Sequence, residues 1–397
     1  MTDPRDDHDT DRQVTEAQHA ALELANVDES ARNAALESIA NAIRDREDEI
    51  LAANADDVEA AEAMLERGEY TRALVDRLKL DGAKIESIAE MVESVAAQDD
   101  PLGKTLSARE LDDDLELYRV AVPIGVVATV FESRPDALVQ IAALALKSGN
   151  AVILKGGSEA SESNRVLQEI IRGVTAELPD GWAQLIEAHE EVDRLLELDD
   201  KVDLVMPRGS SEFVSYIQDN TQIPVLGHTE GVCHVYVDDA ADLQMAEDIA
   251  FDAKVQYPAV CNAVETLLVN DAVAEAFLPD LVERYESAGV ELRGDAATRE
   301  LVDVGEATEE DWRTEYGDLE LSIKLVEDVY EAVEHVNENG SKHTESIITE
   351  DTGAAETFMT GIDAASVFHN ASTRFADGYR YGLGAEVGIS TGKIHAR

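Results

Sequence analysis

From Thr15 to about Ala97, apolar residues recur every three or four positions, as in Leu36, Ile39 and Ile43 and again in Ile85, Ile88, Met91 and Val92. That is the spacing of one buried helical face, so the first quarter is predicted to be helical. Leu115 to Phe131 changes character, becoming rich in β-branched residues and interrupted by Pro123 and Gly125, which predicts the entry of one or two strands. An alternation follows: helix near Ala137–Leu146, strand Ala151–Lys155, helix Glu162–Leu178, strand Val202–Met206, helix Ser211–Gln218. This rhythm predicts a parallel, doubly wound sheet. A second series of strands, at Val232–Val237, Thr266–Val269, Leu321–Leu325 and Ser346–Thr349, alternates with helices such as Ala272–Ala288 and Val329–Val336. Two α/β units are therefore expected, meeting near the short connection Gly227–Cys233.

Composition narrows the class. A chain of 397 residues, 44% hydrophobic, can bury a large core and is too long for one ordinary domain. No apolar run reaches eighteen residues and Met1–Arg12 is polar, so neither membrane nor export is expected. Two cysteines, Cys233 and Cys261, are too few for a disulfide framework, which fits a reducing cytoplasm. Against 85 acidic residues stand 32 basic ones, of which ten are lysine, giving −53. The acids are spread over every helical segment, a whole-surface property that maintains solubility where charge is screened and points to a high-salt interior. Lys and Arg nowhere cluster, so nucleic acid is not expected as a partner.

The chemistry-bearing residues are few. Cys261 lies in Gln256–Ala263, where Pro258 breaks a helix and the thiol falls at a loop-to-strand junction. A thiolate attacks carbonyl carbon readily and is later displaced, as acyl transfer requires. Cys233 alternates inward in an apolar strand and reads as core. Lys155 ends an apolar strand and runs into Gly156, Gly157, Ser158 and Glu159, a turn whose small residues and capping serine could receive phosphate or ribose, or could be an ordinary strand-to-helix connection. Arg134, after a buried strand and before Pro135, offers a fork of donors for phosphate or carboxylate, or else a structural pair with Glu132 or Asp136. His369–Phe375 combines Asn370, Ser372, Thr373 and Arg374 after a strand at Ala365–Phe368, either an oxyanion receptor or a polar surface loop. Gly382–Gly388 imitates a dinucleotide fingerprint but has one residue too many between its second and third glycines. The nine histidines show no metal-ligand spacing with the cysteines, and no metal is expected.

Across Val122–Asn164, Val202–Arg208, Gly231–Asn270 and Ala365–Arg397, the sequence closely resembles the gamma-glutamyl phosphate reductases, or glutamate-5-semialdehyde dehydrogenases, of the aldehyde dehydrogenase superfamily. The carriers are Val122–Gly125, Glu132–Pro135, Lys147–Asn150, Lys155–Ala160, Asp203–Gly209, Gly231–Asp238, Val260–Ala263, Asn370–Phe375 and Gly384–Ser390. The resemblance implies an aldehyde dehydrogenase-like α/β fold of two doubly wound domains with a small oligomerisation element. Residues 1–114 and 123–228 would form the cofactor domain and 229–368 the catalytic domain, with 115–122 and 369–397 making oligomer and substrate contacts. It implies NADPH as cofactor, L-glutamate 5-phosphate as substrate, a cytoplasmic homo-oligomer, and a thioester on Cys261.

By position, Lys155 with Gly156, Gly157 and Ser158 would meet the adenosine ribose or its phosphate. Pro207, Arg208, Gly209 and Ser210 would lie near the nicotinamide or pyrophosphate, and Glu315 would hold the nicotinamide ribose. Arg134 falls where the superfamily places an oxyanion-binding asparagine. Arg134, Asn262, Asn370, Ser372, Thr373 and Arg374 would hold the substrate's charged oxygens. His228 stands where hydrolytic relatives place a general-base glutamate, which fits a reductase that needs no deacylating water. Ala259, Asp136 and Gly227–Glu230 depart from the family pattern, and family members continue beyond His395–Arg397 with a Gly-Pro-rich tail.

Overall fold

The computed structural model describes residues 4–132, 134–187, 190–227, 230–383, 385–388 and 390–391. It divides into two compact units, one of residues 1–227 with 382–389 and one of 228–381 with 390–397.

The first unit opens with five helices, α1 (Pro4–Leu24), α2 (Glu29–Asp45), α3 (Glu47–Glu66), α4 (Arg72–Leu78) and α5 (Gly82–Ala96). Aspartate caps start α2 and α5, where Asp28 and Asp81 accept from Ala31 and Lys84 N–H. Then come β1 (Thr105–Asp112), β2 (Leu115–Val120), β3 (Val126–Phe131), α6 (Pro135–Lys147), β4 (Ala151–Lys155), α7 (Ser161–Val174), β5 (Ala183–Ile186), α8 (Glu190–Leu196), β6 (Leu204–Arg208) and α9 (Ser211–Asp219). Strands β5-β4-β3-β6 form a parallel sheet in that order. One face packs on α2, α5, α6 and α7 through residues such as Leu36, Ile39, Val92, Leu138 and Ile171. The other packs on α1, α8 and α9 through Val14, Ala17, Leu195 and Ile217. Because β4 and β5 lie on one side of β3 and β6 on the other, the connections part company at the carboxyl ends of β3 and β6, where open sheets form ligand crevices.

Several resemblance motifs have a structural explanation at the opposite, amino end of β3. Asn150 Oδ1 accepts Ile124 and Gly125 N–H at 2.7 and 3.0 Å, and Asp203 Oδ2 accepts Val126 N–H at 2.8 Å. Gly125 is needed there twice over, with φ at 129° and a would-be Cβ only 2.1 Å from Asp203 Oδ2. Strand β1, which the sequence pattern did not single out, pairs antiparallel with β2 in a hairpin of its own, exposed along both strands.

The second unit contains β7 (Cys233–Val237), α10 (Leu243–Val255), β8 (Val264–Asn270), α11 (Asp271–Ser287), β9 (Glu291–Gly294), α12 (Ala296–Leu301), β10 (Gly305–Glu306), β11 (Glu320–Val326), α13 (Val329–Asn339), β12 (Thr344–Ile348), α14 (Thr352–Gly361) and β13 (Ser366–His369). Its strands pair in the order β10-β9-β11-β8-β7-β12-β13, all parallel. Strands β7 and β8 are buried along their whole length, with His234, Glu265, Thr266 and Asn270 buried among aliphatic residues, because both faces of the sheet are covered. Helices α10 and α11 cover one face through Ala250, Leu278 and Leu281, and α13 and α14 cover the other through Ala332, Val336 and Phe358.

Candidate functional site

In the first unit, Lys155 is the last residue of β4 and is 8% exposed. Its Nζ donates to Gly156 O at 2.6 Å, and burial lowers its pKa against the opposing pull of Glu159, Glu191, Glu132 and Glu187. Gly156, Gly157 and Ser158 line a shallow surface depression of about 20 Å³ together with Ser161, Asn164, Ile186 and Glu187. A Cβ on Gly156 would stand 2.1 Å from Asn164 Nδ2, so only glycine leaves this wall open. Asn164 Oδ1 is buried there without a hydrogen-bond partner.

Ser158 does not cap α7, contrary to the sequence reading. It lies in a short 3-10 turn, and the N–H groups of Glu162 and Ser163 are taken by Asp57 Oδ1 and Oδ2 from α3, at 3.1 and 2.8 Å. A carboxylate arriving from 100 residues earlier leaves no local trace at the helix start. Pro207 and Arg208 end β6, an edge strand, where a proline removes no ladder bond. Ser210 caps α9 by accepting Phe213 N–H, while its own N–H meets the Glu132 carboxyl group. Partial desolvation, with Glu159 adding, raises the pKa of Glu132. Gly209 is pressed against the same carboxyl, 2.9 Å from the position its Cβ would occupy. Arg134 is the residue before α6 and, among the described residues, forms no ion pair with Glu132 or Asp136.

In the second unit, Cys261 is partly exposed on the turn that leads into β8. Gly231, just before β7, lies against its backbone: a Cβ there would be 2.1 Å from Cys261 O and 2.6 Å from its Cα. Gly231 N–H donates to Glu315 Oε2 at 2.8 Å, so the Cys261 turn, the glycine and the acid are fixed to one another. Cys233 is fully buried, its Sγ directed at Cys261 O at 3.2 Å, and desolvation pushes its thiol well above the ordinary value. Burial keeps its sulfur in the thiol form and away from solvent.

The predicted cluster after β13 splits. Asn370 closes on the end of β12, its Oδ1 accepting Thr349 N–H at 3.0 Å and its Nδ2 donating to Thr349 O at 3.1 Å. Thr349 is level with Asp238, beyond the carboxyl end of β7, a strand length of about 16 Å from the amino end where Cys261 lies. The chain then returns along the sheet, and Asn262 Nδ2 donates to Ala376 O at 2.9 Å. That contact brings the Thr373–Phe375 turn beside the Cys261–Asn262 turn, with Ser372 capping it through Arg374 N–H. Arg374 is 8% exposed, and desolvation followed by Arg380 lowers its pKa, with Asp377, Asp252 and Cys261 acting in the other direction. Among the described residues Arg374 Nε and Thr373 Oγ1 are buried without partners, donors that an anionic ligand would satisfy, and Asn262 Oδ1 is a buried acceptor without a donor. The structure thus brings Asn262, Thr373 and Arg374 to Cys261 and leaves Asn370 at the other end of the sheet.

His228, expected where hydrolytic relatives place a general base, lies outside the described residues, as do Gly384 and Ile389 of the last resemblance motif. Among the described residues no group of three or more His, Cys, Asp or Glu could hold a metal ion, and no helix is long and apolar enough to cross a membrane. Sequence reasoning missed Gly231 as a site residue. Its signal was a glycine at the entry to the buried strand β7, a position where a missing side chain lets another backbone approach closely.

Residues 3–315 match the aldehyde dehydrogenase family. The chain is 72% identical over 390 residues to the gamma-glutamyl phosphate reductase of Natronomonas pharaonis, covering 98% of this chain and 89% of that one. It is 65% identical to the protein of the same name from Haloquadratum walsbyi, over 99% of this chain and 88% of the relative. The crystal structure of gamma-glutamyl phosphate reductase from Thermotoga maritima superposes with a TM-score of 0.94 at 42% identity, covering 98% of this chain and 94% of that one.

Proposed function

We propose, because this chain belongs to the aldehyde dehydrogenase family and within it to the gamma-glutamyl phosphate reductases, that it reduces L-glutamate 5-phosphate to L-glutamate 5-semialdehyde and phosphate on the route to proline. The observation that carries the reading is the company of Cys261: a partly exposed thiol beside a turn in which Arg374 Nε and Thr373 Oγ1 are buried and unpartnered. Cys261 Sγ attacks the acyl carbon, the C–O bond to phosphate breaks, and a thioester remains. Negative charge that develops on the carbonyl oxygen and the departing phosphate falls to Asn262, Thr373 and Arg374, with Arg134 as a further donor. Donors of this kind contribute about 2.7 to 4 kcal/mol each.

NADPH supplies the hydride when bound. Lys155, with the Gly156–Ser158 turn, would meet its adenosine ribose; Pro207, Arg208, Gly209 and Ser210 its middle; and Glu315 its nicotinamide ribose. The acyl carbon accepts the hydride, the C–S bond breaks, and Cys261 is released as the aldehyde leaves. A deacylating base has no part in this sequence. In the same reading residues 1–114 and 123–228 serve the cofactor, 229–368 the chemistry, and 115–122 with 369–397 the oligomer and substrate contacts of a homo-oligomer in the cytoplasm. Phosphate-dependent reduction of NADP by glutamate 5-semialdehyde, measured in molar salt, tests it. Equal rates with and without phosphate, or a clear preference for NAD, would count against the reading.

A further inference from the structure

Behind Glu315 lies a buried ion pair that the chemistry above does not use. Lys254, on α10, is 0% exposed, and its Nζ donates to Glu265 Oε2 at 2.6 Å; Glu265, within β8, is 0% exposed as well. The second carboxyl oxygen, Oε1, accepts Gly317 N–H at 3.3 Å. Gly317 has a φ of 62°, a turn that carries the chain from Glu315 back towards β11. Tyr316, between the two, is held separately: its hydroxyl bonds Asp311 and Ser322 at 2.9 and 2.7 Å, and Lys254 Nζ stands 5.9 Å from its ring centre. Glu315 itself takes Gly231 N–H, and Gly231 abuts Cys261.

A fully buried ion pair adds little net stability, because the desolvation of both charges offsets their attraction. What this pair contributes is a fixed position. Glu265 is four residues after the nucleophile in the chain, so anchoring Gly317 to it ties the Glu315 turn to the strand that carries Cys261.

We infer that Glu265 is a positioning residue for the nicotinamide end of the cofactor site, its carboxyl oxygen holding Gly317 and, through it, Glu315, while Lys254 compensates the buried charge. This rests on the reading of Glu315 as the acid that holds the nicotinamide ribose. The test compares two double variants in which no unpaired charge remains, Lys254→Met with Glu265→Gln and Lys254→Met with Glu265→Leu. Glutamine keeps an acceptor for Gly317 N–H and leucine does not. The dissociation constant for NADPH, followed by nucleotide fluorescence, is expected to stay within about twofold of wild type in the glutamine variant and to rise about tenfold in the leucine variant.

Equal affinities in both variants would overturn the inference, as would equal weakening in both. Should the leucine variant fail to fold, hydrogen exchange at Gly317 of the wild-type protein decides. Exchange slowed about tenfold by NADPH supports the inference, since ordering the turn raises its opening free energy, and unchanged exchange overturns it. A wild-type protein that bound neither NADPH nor NADH would overturn the functional reading together with this one, whereas normal binding that is indifferent to the substitutions overturns this one alone.

Discussion

Replacing Gly231 with alanine adds a single methyl group at the point where two backbones meet. Its Cβ would fall 2.1, 2.6 and 2.7 Å from Cys261 O, Cα and C, all main-chain atoms with no rotamer to relieve the clash. Ordinary contacts between carbon atoms begin near 3.5 Å, so the nucleophile turn must retreat by about 1 Å. A displacement of that size at a reacting atom costs about a hundredfold in rate, or about 2.7 kcal/mol of transition-state stabilisation. The overpacking itself costs about 1–3 kcal/mol of stability, which a domain-sized core tolerates. Steady-state rates of phosphate-dependent NADP reduction, paired with thermal unfolding in molar salt, read both effects. Gly173→Ala in α7 is the control, because its Cβ would meet nothing within 4 Å, and both rate and fold should survive. Turnover of Gly231→Ala within about threefold of wild type would refute the close-approach argument.

Cys261→Ser should abolish turnover while leaving folding and NADPH binding intact, and Cys233→Ser, in a fully buried position, should keep turnover; activity assays on both decide. Thermal unfolding should rise between dilute buffer and molar potassium chloride, since screening relieves a net charge of −53; an unchanged midpoint would refute the surface argument. His335 is 4% exposed and its pKa is lowered from 6.5 to about 3 by desolvation, with His234 and Lys324 adding. A depressed folded pKa means that its contribution is present above pH 6.5 and is lost as pH falls towards 3. By pH 5 that loss is about 2 kcal/mol. His335→Gln should flatten the fall in unfolding free energy between pH 6.5 and 5, and an unaltered slope would contradict the assignment.

How much of this was readable beforehand depends on whether a residue answers to its neighbours in sequence or in space. Strand β4 announces itself by a continuous apolar run, β7 and β8 by valine and leucine flanked by few polar residues, and α2 and α5 by one-sided periodicity, because burial of those faces is what makes them fold. Strand β1 is exposed on every residue, so no apolar alternation marks it; it exists through its pairing with β2. Cys261 could be named from its proline-broken junction together with the resemblance. The separation of Asn370 from Arg374 could not, because four residues suffice for the chain to turn back across the sheet. Asp57 capping α7 and Lys254 meeting Glu265 are partnerships across elements; the one local hint was a glutamate set inside an apolar strand, which must find a cation or lose its charge.

The central claim is that Cys261 carries the acyl group and that phosphate, not water, removes it in the reverse direction. Mixing the enzyme with glutamate 5-semialdehyde and NADP in the absence of phosphate should give a burst of one NADPH per active site and then stop. The quenched protein should carry a glutamyl group on Cys261, and added phosphate should restart turnover. Continuous turnover without phosphate, or a burst that leaves no adduct on Cys261, would contradict the account.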